Sequence, residues 1–111
     1  MRILSTAIEE LSHRSSNIDA ASHMRIQEML RTLSIEEKFG HIFVSGSLNH
    51  AGHISEFELE ISPYGEIFEH FCSCPFHEEE DACGHIIALC EYLAQREFKL
   101  PYHLDVVSEQ R

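Results

Sequence analysis

Three cysteines and one histidine fall within fourteen residues, in the stretch CSCPFHEEEDACGH from Cys72 to His85. No other feature restricts the fold as tightly, because side chains of these types, so close together, can converge on one ion. Cys72 and Cys74 are two residues apart, as are Cys83 and His85. Every second side chain of a strand points to the same side, so an extended run through Cys74 aims both sulfurs at one point. Gly84, between the second pair, is expected to let the chain turn sharply before the helical run IIALCEYLAQ. Ligands entering a helix N-terminus sit where the backbone dipole favours anionic sulfur. Cys72, Cys74, Cys83 and His85 are therefore the expected metal ligands. They form a Cys3His set that fills the tetrahedral shell of one structural zinc ion and leaves no corner for water.

These side chains have other possible uses. Thiols in a small chain also serve as disulfide partners or buried apolar fillers. Met1-Arg2-Ile3-Leu4 opens no apolar run of signal-peptide length, which points to an intracellular, reducing compartment, cytoplasmic or, in a eukaryote, nuclear. Zinc is then expected ahead of iron or an oxidised crosslink. Cys90 joins Ile86, Leu89 and Leu93 at helical spacing and is expected to fill the core. His77 sits mid-loop without a partner at matching spacing and is left outside the ligand set. His50 and His53 are read as loop residues rather than a second metal site.

Charge narrows the partners. The formal net charge is −11, and no Lys or Arg occurs between Phe39 and Gln95 while ten acids do. Nucleic-acid affinity rests largely on Lys and Arg contacts to phosphate, so direct nucleic-acid binding is disfavoured. The run from His77 to Asp81 reads as a solvated acidic loop. No apolar run is long enough to cross a bilayer, and no membrane partner is expected.

Periodicity sets the expected order of elements. A short amphipathic helix covers residues 5–12, with Ile8 and Leu11 inward. RSSNID, from Arg14 to Asp19, reads as a break, and Asp19 is expected to cap a second helix through AASHMRIQEML. Leu33 and Ile35 then alternate with polar residues, and Lys38-Phe39-Gly40 turns into the strand HIFVSGSL. After the expected loop 49–53, ISEFELEI places Phe57, Leu59 and Ile61 on one face and three glutamates on the other. Ser62-Pro63-Tyr64-Gly65 is a turn by composition, and EIFEHF runs into Cys72. The fold class is α+β: N-terminal helices, an antiparallel meander of about four strands, the CxC…CxH zinc loop and a C-terminal helix packing back across the sheet. At 111 residues the chain is expected to be one domain, 1–111. Within it lie a helical segment 1–30, a meander 31–71, a finger 66–96 and a tail 98–111. The tail carries Tyr102, Leu104, Val106 and Val107, which either fold against the domain or meet a partner.

The pattern C-x-C, eight residues, C-x-H, with Pro75 after the second ligand and GHIIAL carrying the last, resembles the SWIM zinc finger. The resemblance is strongest from Glu66 to Leu93, through GEIFEHFCSCP and ACGHIIALC. More weakly, the upstream helix, LSIEE strand and ISEFELEIS strand resemble the N-terminal region of bacterial SWI/SNF-type helicases. The resemblance implies the four ligands already named and a setting in DNA machinery. A basic residue is common in the family between the last two ligands, and Gly84 lacks that charge.

No G-x-x-x-x-G-K-[ST] occurs, so any ATPase motor is expected to lie outside this chain; the start at Met1 also admits a self-sufficient small protein. The expected function is a non-catalytic zinc-binding interaction module. Its expected partner is a protein, a SWI/SNF-type motor domain or a recombination factor. The alternatives are a direct DNA-binding finger and, behind it, an enzyme. A zinc hydrolase would need an open metal position and a base such as His77 or Glu79. A redox thiol protein would favour C-x-x-C beside a βαβ pattern, and neither is found.

Overall fold

A computed structural model describes residues 3–13, 15–16, 18–22, 24–78 and 81–105. Helices α1 (Ser5–His13), α2 (Ile18–Ser22) and α3 (Ile26–Met29) precede strands β1 (Leu30–Lys38), β2 (His41–His50), β3 (His53–Ile61) and β4 (Ile67–Cys72). Helix α4 (Gly84–Ala94) and strand β5 (Tyr102–Asp105) follow. The strands form one antiparallel sheet in the order β4-β3-β2-β1-β5.

Alternation decides which way the meander faces. In β3, Phe57, Leu59 and Ile61 are buried while Glu56 and Glu58 are exposed, as a strand wet on one side requires. Two tight turns hold the register. Phe39 and Gly40 have φ of 55° and 81°, and Ala51 and Gly52 have 53° and 88°. Two consecutive positive φ values match the right-handed twist of hairpin strands, and glycine adopts the second at no steric cost. The second turn corrects the expected loop 49–53. Only Ala51 and Gly52 lie outside the strands, because His50 pairs directly with His53.

The N-terminal region is also more broken than its pattern suggested. The expected helix through 20–30 divides at Met24 and Arg25, where Arg25 has φ −109° and ψ 85°. Asp19 lies inside α2 instead of capping it. Ala21, Ile26 and Leu30 are the buried positions among the described residues of this stretch. The physical reason is tertiary: all three short helices pack against α4, and a continuous helix would not bend around it.

Helix α4 is the centre of the packing. Ile86, Ile87, Leu89, Cys90 and Leu93 are at most 1% exposed. The stripe expected from Ile86, Leu89, Cys90 and Leu93 is present, but Ile87 and Ala88 are buried as well. A helix covered on several sides loses its polar face. The tail adds a fifth strand to the expected four: β5 pairs Tyr102 with Ile35 and Asp105 with Thr32 along β1. Val106 and Val107 lie outside the described residues. No helix among the described residues is long and apolar enough to cross a membrane.

Candidate metal centre

Strand β4 ends at Cys72, and the chain bends at Cys74, two residues on. Ser73 prolongs the pairing with β3: its N–H donates to the Glu56 carbonyl at 2.9 Å, and the Glu56 N–H donates to Ser73 Oγ at 2.9 Å. Cys74 thus lies beyond the strand proper, yet the expected alternation survives, and both thiols are buried.

The second pair arrives differently from expectation. Cys83 is the extended N-cap of α4, with φ −71° and ψ 165°, and Gly84 is already helical. Gly84 does not make the turn. A Cβ there would lie 2.9 Å from Met24 Cε and 3.1 Å from the Ala21 N, so the glycine admits the N-terminal helices against the metal-bearing turn. His85 lies in the first turn of α4 and is 7% exposed.

Among the described residues, Cys72, Cys74, Cys83 and His85 bring one ligand atom each to within 4.8 Å of one another. His85 Nδ1 is 3.9 Å from Cys72 Sγ and 3.8 Å from Cys83 Sγ. A tetrahedral ion with Zn–S of about 2.3 Å and Zn–N of about 2.0–2.1 Å separates its ligand atoms by about 3.6–3.8 Å. The cluster is slightly wider than that, and a small inward closing of the four ligands fits it to zinc. Cys90 and His77 stand outside it.

The thiols do not titrate alike. Cys72 is drawn down to about 4, chiefly by a hydrogen bond from Cys83, which outweighs its burial; bonds from His85 and Cys74 add to the effect. The Cys83 thiol is pushed far up, because it keeps the proton it shares with Cys72 and because it is buried. Burial also raises Cys74. One anionic sulfur held by its neighbours makes each further deprotonation harder, and a divalent cation removes that penalty. Cys90, buried in the core, is raised to about 12 by desolvation.

Three groups of supporting contacts were not legible in the motif. His85 presents Nδ1 to the sulfurs, while its Nε2 lies 2.9 Å from His50 Nδ1. A metal-ligating imidazole usually donates its other N–H to such a partner, which fixes the ring. His50, expected to be an idle loop residue, thus orients the fourth ligand from the end of β2. His77 Nδ1 accepts the Cys83 N–H at 3.1 Å, so His77 Nε2 carries the proton and donates to His70 Nδ1 at 3.0 Å. Ser15 Oγ donates to the Ala82 carbonyl, and Ser16 donates through N and Oγ to the Asp81 carboxylate. The acidic loop is therefore not simply solvated: Asp81 clamps the segment between α1 and α2. Glu79 and Glu80 lie outside the described residues. The general clue was available, since a ligating histidine wants a second partner and the chain holds nine histidines. Nothing in spacing says which of them is brought near.

No curated protein and no solved structure matches the chain. Residues 54–94, from β3 through α4, match the family model of the SWIM zinc finger, and the Cys3His cluster within that stretch fits one zinc ion.

Proposed function

We propose that this chain is a non-catalytic zinc-binding module. One structural ion held by Cys72, Cys74, Cys83 and His85 fastens the metal loop and α4 to the sheet, and the folded surface docks onto another protein. Its setting is a DNA-processing ATPase or recombination assembly, with a SWI/SNF-type motor domain or a recombination factor as partner, inside the cell. The observation that carries this reading is the closed ligand set: four buried protein side chains leave zinc no corner for water or substrate. Hydrolysis needs that corner and a free base. His77 is already committed to the Cys83 N–H and to His70. The lack of Lys and Arg from 39 to 95 favours protein over nucleic acid as the direct partner.

Two measurements test this. Metal analysis with anomalous scattering at the zinc edge is expected to find one zinc per chain bonded to the three thiolates and to His85 Nδ1. A solvent molecule in the fourth position, or sulfurs bonded to each other, overturns the closed site. Pull-down with a purified SWI/SNF-type motor domain and with a recombination factor, comparing wild type with Cys83→Ser, tests the docking role. Capture by wild type and its loss in the variant are expected. Equal capture by a demonstrably unfolded variant, or no capture by wild type, contradicts it.

A further inference from the structure

The sheet has a second face that the helices leave uncovered. Across it the register aligns Glu36, Phe43, Glu60 and Glu69 on four successive strands. The neighbouring row is Ser34, Ser45, Glu58 and Phe71. Phe43 is 38% exposed, Phe71 50% and Phe68 63%. A strand side turned to water ordinarily carries polar groups, so three open phenylalanines on one sheet face call for a reason. Phe68 owes its place to the irregularity in β4 between the Glu60–Glu69 and Ile61–Ile67 pairs. Its ring lies edge-on to His41, 5.9 Å between centroids, and His41 stacks toward Phe43 at 6.5 Å.

The carboxylates between these rings are unevenly matched. Lys38 and His103 approach Glu36 at 3.7 and 3.8 Å, and His41 approaches Glu60 at 2.8 Å without hydrogen-bonding alignment. Glu58 and Glu69 have no cationic partner among the described residues.

We infer that this face docks an arginine- or lysine-rich segment of a partner protein, laid across β2, β3 and β4, with Phe43 and Phe71 receiving its cations between Glu58, Glu60 and Glu69. A guanidinium finds here both a carboxylate to bond and an aromatic face to cover, the two contacts that hold arginine at protein surfaces. The same charges reject the other occupants. A second copy would set glutamate against glutamate, and nucleic acid or an anionic membrane would bring phosphate to an acidic surface. This inference rests on the docking reading above and gives it a surface and a partner chemistry.

The test uses the full, zinc-loaded chain with labelled oligo-arginine, oligo-glutamate and single-stranded DNA, followed by fluorescence anisotropy and amide chemical-shift mapping. Oligo-arginine alone is expected to bind, with shifts concentrated on the outward residues of β2–β4. Glu58→Lys with Glu69→Lys is expected to weaken it about tenfold. Glu91→Lys with Glu97→Lys, which changes net charge equally away from the sheet, should leave affinity within about twofold. Phe43→Ser with Phe71→Ser, at constant charge, should cost about fivefold. Zinc content and circular dichroism establish that each variant is folded. The inference is overturned if shifts fall elsewhere, if DNA shifts this face, if both charge pairs weaken binding equally, or if the phenylalanine variant binds like wild type. Failure here with the motor-domain or recombination-factor pull-down intact moves the docking surface and spares the docking role. Failure of the pull-down with this peptide site intact removes the proposed partners and spares the surface.

Discussion

Two ends of this molecule are ordered by different means. In the β1–β3 meander, β2 pairs with β3 without interruption from Ile42 with Ile61 to His50 with His53, β1 pairs with β2 from Lys38 with His41 to Thr32 with Ser47 before its register shifts, and the Leu33, Val44, Phe57 and Leu59 side chains lie beneath them. Between Cys74 and Cys83 no ladder runs among the described residues; the backbone is held by single bonds, among them His77 to Cys74, Glu78 and Asp81 to each other, Cys83 to the His77 ring and the Ala82 carbonyl to Ser15 Oγ. A ladder with a buried face is stabilised at every residue, whereas a loop of this kind gains order from what its side chains hold. The contrast teaches where the metal acts. It ties the ends of a loop that no strand ladder holds among the described residues.

The largest effect should come from removing the ion. Structural zinc contributes on the order of 10 kcal/mol in small fingers, and that binding energy is also folding energy. A chelator, or Cys83→Ser, is expected to raise amide exchange first and most from Cys72 to Ala94, with β2 and β3 following only as α4 leaves the core. Uniform exchange at both ends would erase the comparison. Phe57→Ala should act from the opposite end. Its ring is 1% exposed, and such truncations cost about 3–5 kcal/mol, readable as a lower denaturation midpoint with the zinc stoichiometry of the folded protein unchanged.

Gly84→Ala tests the seam between the two regions. The new methyl group meets Met24 Cε and the Ala21 backbone, and overpacking of this sort costs about 1–3 kcal/mol, measured by thermal unfolding. Were Gly84 a turn residue instead, Met24→Ala would not relieve the loss; here it should relieve part of it. His50→Ala should leave the sheet intact and weaken zinc binding about tenfold to a hundredfold, seen in competition with a chromophoric chelator. An unchanged affinity would mean that His85 needs no support from β2.

Acidity sharpens the same contrast. Cys72, at about 4, is already anionic at neutral pH, while Cys74 and Cys83 are raised and hold their protons. Zinc binding near pH 7 should therefore release about two protons, and affinity should climb as pH rises toward 9. Calorimetry in buffers of different ionisation enthalpy reads that number directly. In the metal-free chain the signs run oppositely. Cys72 is lowered, so its contribution to stability is full above pH 9 and fades as pH falls toward 4. Cys90 is raised, so its contribution is full below pH 9 and is lost as pH climbs toward 12.

Much of this was open to a reader of the residues. The ligand spacing, the alternation of ISEFELEI, the Phe39-Gly40 and Pro63-Gly65 turns and the apolar run of α4 are local properties. Local sterics and side-chain periodicity act over a few residues, so they leave their mark in the chain order itself. What stayed hidden involves partners far apart. His50 reaches His85 across 35 residues, and Ser15 and Ser16 reach Asp81 and Ala82 across more than 60. The splitting of the expected second helix, the true role of Gly84 and the addition of β5 share that character. Each depends on which surfaces meet after collapse, and no period or spacing records that. Composition and local pattern determined a metal-stapled α+β chain with an acidic surface. Only the packed structure decided which histidine steadies the fourth ligand and which sheet face stays bare, because those outcomes follow from long-range contacts that exist only once the core has closed.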